Sequence, residues 1–165
     1  MAAARRSAKR SARKRHFTLE EANQRLPLVK AIVKDIVELY RDVHERRERL
    51  NRIRHSYQSS SRFTPNVYSE ELDQIEEELD RDIERLDGYV KELRDLGVEL
   101  KDPILGLVDF PTIIEGRRAY LCWKLGEPEV AYWHELDAGY AGRQSLLEGS
   151  MASDGAESDE DRSGP

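Results

Sequence analysis

Apolar residues recur at helical spacing over most of the first hundred positions. From Pro27 to about Tyr57 they fall at Leu28, Ile32, Ile36, Leu39, Val43, Leu50, Ile53 and Tyr57, the stripe of one amphipathic helix. One layer is missing between Val43 and Leu50, where the stripe meets Arg46 or Arg47. A second stripe, Leu72, Ile75, Leu79, Ile83, Leu86, Val90 and Leu93, predicts a helix from about Glu70 to Leu96. Gly97 suits its left-handed cap, and Val98 can fold back on the last turn. Ahead of the first stripe, "FTLEEANQRLP" sets Thr18 and Glu21 at capping-box spacing, and Pro27 is expected to kink or restart the helix. The Ser-rich linker "SSSRFTPNVYS" joins the two helices into an antiparallel hairpin. Pairing them sets Arg46 and Arg47 opposite Asp80, Asp82 and Glu84, where an ion-pair layer is expected. Two stripes of this length are not well covered by each other alone, so the sheet or a second copy is expected to complete them.

From Val98 the period changes. "VELK", "LVDF", "RAYLCWK" and "EVAYWHE" are short β-rich runs, separated by the turn chemistry of "DPILG", "PTIIEG" and "LGEP". They predict an antiparallel sheet of three or four strands, followed by a Gly-broken loop, "LDAGYAGRQSLLEG". The fold class is α+β. A helical hairpin (18–96) and a small sheet with its Gly loop (98–148) make one domain, 17–148, between a basic tail (1–16) and an acidic tail (149–165).

Charge explains the tails. Seven Lys and Arg and no acid lie in the first 16 residues, and five acids with one Arg lie in the last 15. Both ends are low in apolar residues and are expected to be disordered. The basic tail offers non-specific contact with nucleic acid, or simply a solubilising arm. The chain has 165 residues, formal net charge −6 and 36% charged residues. No apolar run approaches the roughly 18 residues of a membrane span, and the basic N-terminus lacks the apolar core of a secretory signal. A single cysteine, Cys122, permits no intrachain disulfide and fits a reducing compartment, so the cytoplasm is the expected location.

Three blocks, "FTLEEANQRLP", "GVELKDPILGLVDFP" and "YLCWKLGEPEVAYWHELDAGYAGRQ", resemble an uncharacterised prokaryotic family, domain of unknown function 2203. The resemblance runs from Phe17 to Gln144. It implies a small prokaryotic intracellular protein, and supplies neither an activity nor catalytic residues.

The third block carries the candidate chemistry. Cys122, His134, Glu135 and Asp137 have metal-ligand side chains, without the spacing of CxxC, HxH or HExxH motifs. A two-residue turn at Gly126-Glu127 would set Lys124 opposite Glu129, Trp123 opposite Val130, Cys122 opposite Ala131 and Ala119 opposite His134. His134 then shares a face with Leu121 and Trp123, and Cys122 lies on the other with Trp133 and Glu135. That register disfavours a metal site containing Cys122 and makes the cysteine a buried structural residue. A three-residue loop, Gly126 to Pro128, would shift the pairing by one and restore the site. The two tryptophans are expected on opposite faces, one of them covered by a partner chain.

Gly139 and Gly142 around Tyr140 permit backbone N–H groups to converge beside Arg143, and Arg117 and Arg118 follow the "EGRR" turn. Asp109 either caps its turn or orients Arg117 or His134. The residues taken as a ligand site, for a small anion, are therefore Arg117, His134, Asp137 and Arg143, with His134 and Asp137 as the metal candidates. The leading functional expectation is a non-enzymatic interaction module that contacts another protein or a second copy. The alternative is a small-ligand or metal-binding protein, or an enzyme, built on those four residues. Nucleic-acid contact through residues 1–16 comes third.

Overall fold

A computed structural model describes residues 16–58 and 65–146. The two expected tails, His16 apart, and the first six residues of the expected linker, 59–64, lie outside these residues. The capping box forms: Thr18 Oγ1 accepts from the Glu21 N–H at 3.1 Å, and Glu21 reaches back to the Thr18 N–H at 3.4 Å. It starts α1, Leu19–Gln58, which runs through Pro27 without a break. The missing N–H costs the helix one bond, to the Asn23 carbonyl, and the Pro27 ring faces solvent. α2, Pro65–Asp95, begins earlier than the stripe required, with a proline in the first turn, where no intrahelical N–H is needed. It ends as expected: Val98 N–H bonds the Leu93 carbonyl, Gly97 N–H bonds that of Arg94, and Gly97 has φ 85°.

The helices pair, and Arg46 meets Asp82 across the hairpin and Asp42 on its own helix at 2.8 Å. Arg47, Asp80 and Glu84 stay exposed, so the ion-pair layer is narrower than expected. On either side of it, Val43, Leu50 and Leu79 form a small core with Leu39, Leu72, Ile75 and Ile83. The N-terminal half of α1 packs differently from its expected stripe. Leu26, Val29 and Val33 are buried against the sheet, whereas Leu28 is 49% exposed.

Five antiparallel strands follow in the order β1-β2-β3-β4-β5: Glu99–Asp102, Leu107–Ile114, Arg117–Lys124, Tyr132–Glu135 and Gln144–Ser145. The fifth, two residues inside the Gly loop, is too short to leave a pattern in the sequence. One face of the sheet receives the helices: Val108, Phe110, Leu121 and Trp123 join Phe17, Ala22, Leu26 and Leu93 in the main core. Among the described residues, no helix is long and apolar enough to cross a membrane.

Candidate metal centre

Asp109 is the third residue of β2, and Cys122 is directly opposite it on β3. His134 on β4 stands opposite Tyr120, two residues from Cys122. Opposed residues share a face and alternate residues return to it, so all three side chains leave the sheet on the side away from the helices. They are sealed from water, at 2%, 0% and 2% exposure. One donor atom from each lies within 4.8 Å of the others.

This overturns the two-residue turn. The observed register pairs Tyr120 with His134, Leu121 with Trp133 and Cys122 with Tyr132, one residue away from the expected one. The pairing is that of the three-residue alternative, although residues 125–131 form a longer connection. The physical reason lies on α1. Asn23 Oδ1 accepts from the Val130 N–H at 2.7 Å, and Asn23 Nδ2 donates to the Val130 carbonyl at 3.2 Å. The side-chain amide takes the place of a neighbouring strand, and Pro128 has no N–H to offer a ladder. The dismissal of a Cys122–His134 pairing fails with the register. Trp123 and Trp133 then share the helix face, Trp123 fully buried and Trp133 packed at the core edge, so neither tryptophan requires a partner chain.

His134 Nδ1 is 2.7 Å from the Glu135 carbonyl oxygen, and Nε2 is 3.0 Å from Asp109 Oδ1. A carbonyl only accepts, so Nδ1 carries the hydrogen and fixes the ring. Nε2 then either accepts from a protonated Asp109 or donates as part of an imidazolium. Burial holds the Asp109 carboxyl above the usual carboxylate range, with His134 acting against the shift. The Cys122 thiol is pushed up to about 12, by burial first and the Asp109 charge next, while Arg143 pulls it down. Such a thiol is not a nucleophile at neutral pH. It becomes a ligand when a metal ion displaces its proton.

Two aromatic groups flank the trio. The Tyr120 ring is 5.4 Å from that of His134, with Lys101 Nζ 5.4 Å from the Tyr120 centroid. On the far side Tyr132 lies beneath Arg143, whose Cζ is 3.7 Å from the Tyr132 centroid and 4.9 Å from that of Tyr140. Arg143 donates to both Glu127 carboxylate oxygens, at 2.9 and 2.8 Å.

The four residues singled out from the sequence do not gather. His134 belongs to the trio. Arg143 is committed to Glu127. Asp137 is exposed in the connection after β4. Arg117 is exposed beside the β2–β3 turn, where it lines a cavity of about 220 Å³ with Arg118, Trp133 and Leu136. Asp109 and Cys122 stand outside those four: the two-residue register sets Cys122 aside, and Asp109 reads only as a turn cap or as orienting Arg117 or His134. The available signal was the acid enclosed in the apolar run "LVDF", whose neighbours Val108 and Phe110 claim the helix face and leave Asp109 for the other.

The sequence model of the family described as uncharacterized conserved protein (DUF2203) matches residues 15–146. The chain belongs to this family. The DUF2203 match spans both helices, all five strands and the whole Asp109–Cys122–His134 trio. No curated protein and no solved structure matches the chain. Membership in DUF2203 brings no activity with it, so any chemistry is argued from the trio.

Proposed function

We propose that this protein binds one divalent transition-metal ion through Asp109, Cys122 and His134. The observation that carries the proposal is the convergence of three unlike donors from three strands in a deeply buried site. An apolar trio would fill the same space without the desolvation cost of three ionisable groups, so a purely packing role explains the residue types poorly. His134 already has the arrangement of a metal-ligating imidazole, with its far nitrogen donating to a backbone carbonyl and its near nitrogen facing the other donors. Deprotonated, the set carries two negative charges, which a divalent cation neutralises. Sulfur and nitrogen favour zinc, cobalt(II) or iron(II), whereas magnesium and calcium demand oxygen. Tetrahedral ligands sit about 3.3–3.8 Å apart at ordinary bond lengths, so Asp109 and His134, 3.0 Å apart, open slightly to admit the ion.

Native mass spectrometry of the full chain, supplied with zinc, should show one ion per chain. Cobalt(II) should give a thiolate charge-transfer band that Cys122→Ser abolishes. Binding that persists in a Cys122→Ser, His134→Ala double variant would place the ion elsewhere.

A second reading, contact with another protein or with a second copy, is favoured by the separate core of the hairpin. From Leu39 outward the helices support each other and do not join the cluster on the sheet. The same mass spectra test self-association: a dimer at micromolar concentration supports it, and monomer throughout rejects it.

A further inference from the structure

An ion reaching the trio has to displace something. Cys122 has no exposed surface, and Asp109 and His134 have almost none. Two walls flank the site. Toward β1 stand Tyr120, Lys101 and Glu99, with Lys101 Nζ 3.5 Å from Glu99 and both groups exposed. Toward β5 stands the connection Leu136–Arg143, a strap that carries Arg143 over Tyr132, the residue directly opposite Cys122. The strap is closely fitted: a Cβ on Gly142 would meet that of Ala138 at 2.5 Å.

Arg143 is held at three points: the Tyr132 ring, the Tyr140 ring and both Glu127 oxygens. Glu127 belongs to the β3–β4 connection, where its Oε1 also accepts from the Lys124 N–H at 2.7 Å. The clamp therefore ties the strap to the β3–β4 connection, with Arg143 lying over Tyr132, the neighbour of Cys122 across the strands. A side chain 13% exposed, stacked on two rings and paired through one guanidinium nitrogen with both Glu127 oxygens, moves only when these contacts break together.

We propose that the Arg143–Glu127 pair is the latch of this site, and that a divalent ion enters and leaves only when the strap releases Glu127. The proposal rests on the metal-binding reading above and goes beyond it, because a tight site need not be gated on this side. A latch alters the barrier and leaves the end states alone, so it changes the rates of uptake and release by similar factors and leaves the equilibrium nearly unmoved. An electrostatic partner of Cys122 alters affinity instead.

The test is stopped-flow cobalt(II) uptake by the full-length protein, and cobalt release into excess chelator, for wild type, Glu127→Gln, Arg143→Lys and Glu99→Gln. Glu127→Gln keeps the side chain's size and its acceptor for Lys124 while removing the ion pair. Uptake and release should each quicken about tenfold in Glu127→Gln, with Kd within about threefold of wild type. Arg143→Lys should behave the same way, because an ammonium cannot stack on the Tyr132 and Tyr140 rings as the planar guanidinium does. Equal thermal melting of the metal-free proteins shows that the fold is intact. Unchanged rates in both clamp variants overturn the latch, as does slower binding with matching loss of affinity. Acceleration by Glu99→Gln alone puts the entrance on the β1 side and also overturns it. A wild type that takes up no cobalt overturns the metal reading itself, and the latch falls with it.

Discussion

A thiol that has no exposed surface and releases its proton only near pH 12 is chemically silent. Native, metal-free protein should therefore resist iodoacetamide at neutral pH, whereas the unfolded chain reacts at once; mass spectrometry of the alkylated product checks this. Rapid modification of the native protein would mean that Cys122 is more accessible than its packing indicates. Asp109 has a pH signature of its own. Its folded pKa is raised by burial, so the folded state holds the proton more tightly than the unfolded one. The associated stability is complete below the ordinary carboxylate value and is lost as pH rises through the raised one. Asp109→Asn has no such proton to lose. In metal-free urea titrations, the stability of wild type relative to this variant should decline as pH is raised from about 4, the ordinary carboxylate range. A constant difference would show that Asp109 titrates normally.

Among the elements, the connection between β3 and β4 decides the most. Asn23→Ala strips the Val130 N–H and carbonyl of their partners, and should cost about 2 kcal/mol in chemical denaturation. A loss below about 0.5 kcal/mol would show that β4 is held in register by its own ladder. The hairpin has a comparable weak point. Leu79 is 3% exposed in a core of three buried residues, and Leu79→Asp should remove about 3 kcal/mol or more and melt the outer turns of both helices. These elements were not equally legible. The capping box, the Gly97 stop and the pairing of Arg46 with Asp82 depend on neighbours within a turn or on two regular stripes, and they form as the spacing requires. The β3–β4 register depends on a side chain 107 residues away from Val130, which no local pattern contains. Because strand parity is two, that single displacement moved Cys122 and His134 from opposite faces to one face, and with them the identity of the site. Leu28 failed for a related reason: where α1 lies on the sheet, the sheet chooses the buried arc, and Val29 and Val33 replace it.

At the scale of the whole molecule, the helices and the metal candidate occupy opposite faces of one sheet. Each strand pairs with the next in sequence, so the sheet is assembled from neighbours along the chain. The long arm leaves the sheet behind: α1 has 40 residues, which at helical rise is about 60 Å. A compact sphere of this chain length is only about 40 Å across. The molecule should therefore meet more drag than its 19.1 kDa implies. On a gel-filtration column calibrated with round proteins, a monomer should elute early, at the position of something heavier. An early peak is then the signature of an outstretched arm, and says nothing about how many chains travel together.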